Sequence, residues 1–513
     1  MGEARRKRHG VPGSELEAMA VDTPGGRIHV QWDHQASASP NAQLTFFAEF
    51  LSTTGVYDAW HDSCPLHYSS PNAPSKRDVL GTWMLAILAG HSRYAHITGL
   101  RGDAVSPQIL GMNKIISEDA LRRALARMNA EESQAWLAPQ LMASVQGALS
   151  TPWILDIDTT IKPLYGKQSG AEVSYNPHKP GRPSHALHTY WVSNLRLVLD
   201  VVVSPGKEHS PAQARPGLIN VLNQLQPEQR PALVRGDCGF GNEPFIAELE
   251  DRAQPYLFKL RQTAGVKKLL ARQFARADWR SPGPSDQGWS AVEDTLRLSG
   301  WDRARRVIIL RRAVKADWAL TRQKKDEPGQ QMELLMPAPD VQTWEYAVLV
   351  TNSAYPLDAF AQLYRDRADC ENGFDELKNQ WGWGGFTTQD LERCQSSARA
   401  VALVYNWWSW YCRAAKPDAR MEAITSRALL LAGVGRAVKH AGQTTLYLTP
   451  MHAAIGQLRV LITQIRAALN HVRSVAEQLP KADRWKTFLN YVIAKIAQAS
   501  LPPTSPKPLI PTG

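Results

Sequence analysis

Hydrophobic and polar positions change their period along the chain. Between residues 43 and 150, Ser75 with Asp78 and, further on, Ser117 occupy the N-cap positions of two predicted helices. At residues 153–160 the period becomes two, which is typical of a strand. The sequence therefore predicts a helical N-terminal region that is followed by a sheet.

The segment at residues 153–160 is expected to be the first strand of that sheet. Side chains of a strand point to opposite faces in turn, so Asp156 and Asp158 share one face. Helices are predicted at residues 212–225 and 243–251. Further strands are predicted at residues 186–192, 196–203, 232–235, 256–260 and 344–351. This order indicates an α/β fold with helices packed against the sheet.

Residues 263–343 interrupt the order of strands and helices. Alternating segments at residues 307–310 and 333–336 predict a β-rich insertion. Its many arginines and lysines are interleaved with Trp289, Trp301 and Trp318. Cations and aromatic rings together suit contact with nucleic acid. The alternative is a solvated hairpin whose tryptophans belong to the core.

The stretch at residues 364–378 is predicted to be a helix with two stripes. At about 100° per residue, four polar side chains fall within about 60° of one another. They are Tyr364, Arg367, Glu371 and Lys378. Beside them lies an apolar stripe of Leu363, Cys370, Phe374, Leu377 and Trp381. Asp366 and Glu376 point away from both stripes, so they are expected to face solvent.

The C-terminal region contains a second helical pattern. Its apolar residues follow the three-four spacing of a heptad seam, which can pack within the chain or pair two protomers. They are Ile455, Leu458, Ile462, Ile465, Leu469, Val472, Ala476 and Leu479. A run of aromatic residues at 405–410 is expected to be core.

These patterns predict six regions. Residues 1–42 form a poorly ordered basic tail, and residues 43–150 form a helical N-terminal region that either binds DNA in the major groove or serves as scaffold. The α/β core has two parts, 151–262 and 344–415, which are separated by the insertion at 263–343. Residues 416–513 form a helical C-terminal region that can mediate oligomerisation and ends in a proline-rich segment.

Composition narrows the class of protein. The 513 residues carry a formal net charge of +11, with a pI of about 9.4, which favours a polyanionic partner. The five cysteines are scattered and form no Cys-x-x-Cys pair, which favours a reducing cytoplasm over a disulfide framework or a zinc site. The longest apolar run, at residues 83–89, is too short to span a membrane. We expect a cytoplasmic protein without a membrane partner.

The stripe at residues 364–378 resembles the Tyr-x2-Arg-x3-Glu-x6-Lys signature of bacterial insertion-sequence transposases of the DDE type. The spacing matches at all four positions, Tyr364, Arg367, Glu371 and Lys378. Within that group, insertion-sequence family four and its relatives are the most similar. The resemblance implies that Glu371 holds a metal ion, while Tyr364, Arg367 and Lys378 hold the DNA end. The alternative for this stretch is an amphipathic helix with a solvated salt-bridge face.

The resemblance extends over residues 150–415 and implies an RNase H-like core. Asp158 lies in the first core strand, Asp237 follows a later strand, and Glu371 lies on the helix after the last strand. Two carboxylates about 4 Å apart repel by about 4 kcal/mol at an effective dielectric constant of 20, so such a cluster needs cations. Carboxylate oxygens suit Mg²⁺ or Mn²⁺, and two ions would serve an in-line displacement at phosphorus. Asp156 is a rival for the first ligand.

The resemblance implies a cut-and-paste transposase. Such an enzyme binds terminal inverted repeats, cleaves the double-stranded DNA beside them and joins the ends to target DNA, as a dimer or a larger assembly. A tryptophan of the insertion is a candidate to stack on a flipped base. His185 and His188 are candidates to approach the site, although a structural role is favoured for both. The rival functions are a metal-dependent nuclease that never joins strands and a non-catalytic DNA-binding derivative.

Overall fold

The fold is taken from a computed structural model of the chain. It describes residues 18–33, 36–174, 176, 179–208, 211–282, 287–314, 343–450, 454–476 and 478–500. Several predictions lie outside these residues: the ends of the chain at 1–17 and 501–513, the strand at 333–336, and Trp318.

The N-terminal region begins with strands and continues with helices. The strands β1 (Met19–Thr23) and β2 (Gly26–Val30) form an antiparallel hairpin, and β3 (Ala38–Ser39) follows. Residues 19–30 and 38–39 therefore form strands, which the prediction of a poorly ordered tail at 1–42 did not include. Seven helices then occupy the predicted helical region: α1 (Leu44–Thr54), α2 (Val56–Ser63), α3 (Lys76–Leu88), α4 (Ile97–Leu100), α5 (Ser106–Ile109), α6 (Glu118–Leu125) and α7 (Ala130–Gln146).

Both predicted N-caps are confirmed. The Ser75 hydroxyl accepts a hydrogen bond from the Asp78 amide at 3.0 Å, and the Ser117 hydroxyl accepts one from the Ala120 amide at 3.3 Å. Each bond satisfies an amide that has no partner within its own helix. Helix α3 is buried from Asp78 to Leu88, so it forms the centre of the helical region.

Nine strands of the described residues form one large sheet. They are β4 (Ile154–Pro163), β5 (Glu172–Val173), β6 (Pro183–Val192), β7 (Leu197–Pro205), β8 (Leu233–Gly236), β9 (Tyr256–Lys259), β10 (Ser290–Leu296), β11 (Arg305–Val314) and β12 (Thr343–Thr351). Their order is β10-β11-β12-β9-β8-β4-β6-β5, with β7 also paired to β6. Strands β4, β8 and β9 are parallel, and the pairs on either side of them are antiparallel.

Two helices connect the central strands. Helix α8 (Pro211–Gln224) follows β7, and α9 (Glu243–Asp251) connects β8 to β9. This agrees with the predicted order of three strands, helix, strand and helix. The fold is therefore mixed α/β, with a large sheet and many helices around it.

The described part of the predicted insertion extends the central sheet. Strand β12 pairs with β9, and β11 and β10 continue outward from it. The region also contains a helix, α10 (Ala264–Gln273), which the β pattern did not indicate. Trp301 is buried, and the buried Arg305 pairs with Glu243 and Glu250. These two residues therefore belong to the core and are not available to nucleic acid.

The predicted helix at residues 364–378 is divided in two. Helix α11 (Phe360–Arg365) ends just before a turn at residues 366–367, and α12 (Ala368–Gln380) begins after it. The apolar stripe is confirmed, because Cys370, Phe374, Leu377 and Trp381 are all buried and Leu363 is partly buried. Helix α13 (Leu391–Ala415) follows, and its aromatic run is core as predicted.

Glu376 is buried, so the prediction that it faces solvent is wrong. Its carboxylate accepts hydrogen bonds from the Ala423 amide at 3.0 Å and from Trp381 Nε1 at 3.3 Å, and it pairs with Arg420. Ala423 is the first residue of α14 (Ala423–Leu430), whose positive end favours a carboxylate. Asp366 is exposed as predicted.

After α14, the C-terminal region continues with a hairpin and two further helices among the described residues. Strands β13 (Gly435–His440) and β14 (Gln443–Leu448) precede α15 (Ile455–Ala476) and α16 (Lys481–Ser500). The heptad seam on α15 packs within the chain, against α1, α13 and α16. Its residues Leu458, Ile465, Leu469 and Val472 are buried, whereas Leu479 beyond the helix is exposed. None of the described helices is long and apolar enough to cross a membrane.

Replacing Leu469 by alanine is expected to destabilise the protein. The side chain is fully buried, and Leu→Ala changes in cores cost about 2–5 kcal/mol. Val460→Ala on the same helix is the matched control, because its side chain is 60% exposed and its loss should cost less than about 0.5 kcal/mol. Chemical denaturation measures both values. Equal effects of the two substitutions would show that the seam is not the buried face.

Candidate active site

Asp156 and Arg235 form a buried ion pair between neighbouring parallel strands. They face each other directly in the register of β4 and β8, and both side chains are fully buried. Arg235 Nε donates to Asp156 Oδ1 at 2.7 Å and Nη2 donates to Oδ2 at 2.8 Å. Arg235 also donates to the Leu363 carbonyl and to the Ser193 hydroxyl. The pair therefore ties both strands to α11.

This pair sets the position of the two predicted aspartates. Asp158 follows Asp156 by two residues, and Asp237 follows Arg235 by two residues just beyond β8. Because side chains alternate along a strand, Asp158 lies on the same face as Asp156. The Thr159 amide donates to Asp158 Oδ1 at 2.9 Å, and the Gly239 amide donates to Asp237 Oδ1 at 2.8 Å. Both carboxylates are thus oriented by backbone amides.

A tight turn after β8 brings the chain past Asp237. A Cβ at Gly236 would lie 2.7 Å from the Phe240 ring, so only glycine fits there without displacing the ring. Asn242 then caps α9 by accepting from the Phe245 amide at 3.3 Å. The turn and the cap together fix the backbone on both sides of Asp237.

Arg367 lies between two of the three predicted acids. Its Nη2 is 3.3 Å from Asp158 Oδ1, and its Nη1 donates to Glu371 Oε1 at 2.9 Å. Only 9% of the Arg367 side chain is exposed, against 63% of the Glu371 side chain. The predicted alternative, an i,i+4 salt bridge from Arg367 to Glu371, is therefore present. Because Arg367 also pairs with Asp158, this salt bridge joins three residues.

The charges of the site shift one another's pKa. Burial raises the pKa of Asp158 to about 6, and the nearby charges of Asp237 and Glu371 act in the same direction. The Arg367 guanidinium and the Thr159 amide oppose the rise in pKa without cancelling it. Burial would lower the pKa of Arg367, but the surrounding acids outweigh it and the pKa is raised. The site thus gathers three acids and one arginine within electrostatic range.

Tyr364 and Lys378 border this cluster. Burial raises the pKa of Tyr364 to about 12, and its ring lies 6.0 Å from the Lys259 ammonium. Burial lowers the pKa of Lys378, and the charge of Asp158 opposes that shift. All six predicted site residues are therefore brought to one place. Lys259 at the end of β9 was not predicted, since a lone lysine after a strand carries no signal.

The rival residues of the sequence analysis have structural partners. Both carboxylate oxygens of Asp156 accept from Arg235, which leaves this side chain poorly suited to bind a metal. His188 bonds to Thr159 at 2.9 Å and to the Glu208 carbonyl at 2.8 Å, and His185 bonds to the Ser169 carbonyl at 2.8 Å. Both histidines are fully buried. The sequence places Asp156 on a strand, but it does not reveal that Arg235 is the partner of this carboxylate.

The donor set suits a hard divalent cation, which prefers oxygen ligands. A positive group, the Arg367 guanidinium, already stands between Asp158 and Glu371. Within the described ranges, no three His, Cys, Asp or Glu side chains converge closely enough to hold a metal ion. The residue types therefore fit such an ion. In this structure the Arg367 guanidinium neutralises the carboxylates of Asp158 and Glu371.

Asp158→Asn is expected to change how stability depends on pH. The pKa of Asp158 is about 6 in the folded chain and 3.8 ordinarily, so between about pH 4 and pH 6 the folded state binds more protons than the unfolded state. Its contribution to the free energy of unfolding therefore falls as pH rises through that window. The stability of the variant relative to wild type should rise from pH 4 to pH 6 and stay constant above. A difference that does not vary with pH would contradict the raised pKa.

Comparison with known proteins gives a family match and a structural likeness. The family model described as the transposase DDE domain matches residues 149–407. A cryo-EM structure of the piggyBac transposase synaptic complex with hairpin DNA is similar at 12% sequence identity, covering 92% of this chain and 89% of that chain. Its TM-score of 0.35 is too low to support an argument. No match was found among curated proteins.

The family match covers slightly more than half of the 513 residues. It includes both parts of the site, from Asp158 in β4 to Lys378 in α12. The chain therefore belongs to the transposase DDE domain family.

Proposed function

We propose that this transposase binds the terminal inverted repeats of an insertion sequence, cleaves the DNA beside them and joins the ends to target DNA. It would do so in the bacterial cytoplasm by a cut-and-paste route. The observation that carries the proposal is the grouping of Asp158, Asp237 and Glu371 around one arginine, within the segment that matches the family. Carboxylates on β4, just beyond the neighbouring β8 and on α12 together suit metal-dependent chemistry on phosphates.

Asp158, Asp237 and Glu371 are the proposed ligands of Mg²⁺ or Mn²⁺, with two ions expected. When bound, such ions activate the attacking oxygen and stabilise the leaving oxygen in a displacement at phosphorus. The backbone amides of Thr159 and Gly239 hold one oxygen of each aspartate, and the other oxygen of each accepts no hydrogen bond from the part of the chain that the structure describes. The 63% exposure of Glu371 leaves its carboxylate accessible from solvent.

The cations of the site are proposed to bind the DNA backbone. Neither Arg367 nor Lys378 can ligate a metal, since both side chains only donate hydrogen bonds. Lys378 has no ion pair with a carboxylate among the described residues, so its ammonium is available to a phosphate. Tyr364 beside them is proposed to contact the same DNA end. The spacing of these residues with Glu371 supports the subgroup of insertion-sequence family four and its relatives.

The topology supports an RNase H-like core. Strands β7, β6 and β4 are antiparallel neighbours, and β8 and β9 then continue parallel to β4. Asp158 lies on β4 and Asp237 lies just beyond β8, the two strands at which the antiparallel part meets the parallel part. The strands β10–β12 would then be the insertion, added at the far edge.

Excision requires both transposon ends, so at least two protomers are proposed to act together. The heptad seam of α15 is no longer a candidate contact between them, because it packs within the chain. The helical N-terminal region is proposed to contribute to end binding. Arg122 and Arg123 on α6 are exposed there and could reach phosphates.

Replacing each acid by alanine tests the proposed chemistry. With a plasmid that carries this gene and its flanking DNA, Asp158→Ala, Asp237→Ala and Glu371→Ala should each lower Mg²⁺-dependent cleavage at least about 1000-fold, because each removes a ligand. Binding to the end fragment should stay within about threefold of wild type. Asp375→Ala is the matched control, since this acid is exposed one turn further along α12. Wild-type cleavage in any of the three variants would remove that residue from the catalytic set.

A second assay with pre-cleaved ends and a target plasmid measures strand joining. Joined products support transposition, whereas cleavage without joining would identify a nuclease. DNA binding with neither reaction in wild type would identify a non-catalytic derivative.

A further inference from the structure

We propose that Arg367 is an internal counter-cation that keeps the metal-free site assembled and must leave before a divalent ion can bind. This inference rests on the proposed function, because it takes Asp158 and Glu371 as metal ligands. It adds a role for Arg367 that precedes DNA binding: the guanidinium competes with the metal for the same two carboxylates.

The contacts of Arg367 are confined to the acids on one side of its guanidinium. Nη1 and Nη2 point to Glu371 and Asp158, while the buried Nε has no hydrogen-bond partner within the described part of the chain. A guanidinium has five donor hydrogens, and buried donors are normally satisfied. Among the described residues, the carboxylates of Asp158 and Glu371 are the polar partners of this buried guanidinium.

The site has an electrostatic need for such a cation. Asp158, Asp237 and Glu371 are close enough for the charges of the last two to raise the pKa of the first. Without a positive group among them, the carboxylates repel one another. Arg367 removes much of that repulsion, and a divalent ion would remove it more completely. The Arg367 guanidinium and a divalent ion would thus bind the same carboxylates, so each excludes the other.

A change of partners by Arg367 would require only its side chain to move. The residue lies in the turn between α11 and α12, where its amide donates to the Tyr364 carbonyl at 3.3 Å and its carbonyl accepts from the Cys370 amide at 3.0 Å. Glu371 follows one turn later on α12, and Asp158 lies on the rigid strand β4. A rotation of the Arg367 side chain away from the acids would leave their oxygens free and direct the guanidinium toward bound phosphate.

Binding of Mn²⁺ to the full-length protein without DNA tests this role. The concentration of free Mn²⁺ is measured by electron paramagnetic resonance during a titration at pH 7.5. Arg367→Gln should bind Mn²⁺ at least about tenfold more tightly than wild type, because the metal no longer displaces a guanidinium. The same titration of the Asp158→Asn, Glu371→Gln double variant identifies the site.

Lys378→Gln is the matched control for long-range charge. Lys378 is also a cation near Asp158, but it makes no ion pair with that carboxylate. If Arg367 acts by occupying the site, Lys378→Gln should change the Mn²⁺ affinity by no more than about threefold. An equal gain in both variants would overturn the inference, since removal of any nearby positive charge would then suffice.

The failure of this inference differs from the failure of the proposed function. If wild type binds Mn²⁺ through Asp158 and Glu371 and Arg367→Gln binds no more tightly, Arg367 is not a competitor and the metal site stands. If neither protein binds Mn²⁺ in a manner that depends on those acids, the metal site itself is refuted. If Arg367→Gln folds poorly, Arg367→Lys is the second variant to measure, because it replaces the planar guanidinium by a single ammonium group. Its affinity should exceed that of wild type, and equal affinity would refute competition.

Discussion

The buried ion pair of Asp156 and Arg235 is the constraint on which the site depends. Two charges leave water to form it, and that desolvation is offset only because Arg235 uses its remaining donors on Ser193 and on the Leu363 carbonyl. The pair fixes the register of β4 against β8 and attaches α11 to both strands. Asp158 follows Asp156 by two residues, and Asp237 follows Arg235 by two residues. Tyr364 and Arg367 follow Leu363 in the same way, by one and four residues. Four of the six site residues are therefore positioned by one interaction.

The site combines this fixed frame with a cluster of like charges. Asp158 is held on a strand, whereas Glu371 is exposed on a helix. The acids are neutralised by Arg367, which belongs to a turn between two helices. The helix that carries Glu371 is itself anchored at its far end, where the buried Glu376 meets α14 and Arg427 donates to the Gln380 carbonyl. The far end of α12 is thus held by contacts with α14.

Much of this arrangement could be predicted from local sequence patterns. The change to period two placed Asp158 on a strand, and the three-four spacing placed the apolar stripe of α12 in the core. Long-range partners could not be predicted: Arg235 lies 79 residues from Asp156 in sequence, and the Ala423 amide lies 47 residues from Glu376. For that reason Asp156 looked like a rival ligand and Glu376 looked solvated. The seam on α15 showed an apolar face, but its spacing does not reveal whether the same chain covers it.

The central claim is that Asp158, Asp237 and Glu371 bind divalent metal together and that Arg367 then binds a phosphate of the DNA backbone. Anomalous diffraction from Mn²⁺ in crystals of the protein bound to its end DNA tests this claim most directly. The account predicts manganese peaks at about 2.0–2.3 Å from oxygens of all three acids, with Arg367 on a phosphate. Peaks bound by other residues, or an Arg367 guanidinium that still bridges Asp158 and Glu371 beside bound metal, would contradict it.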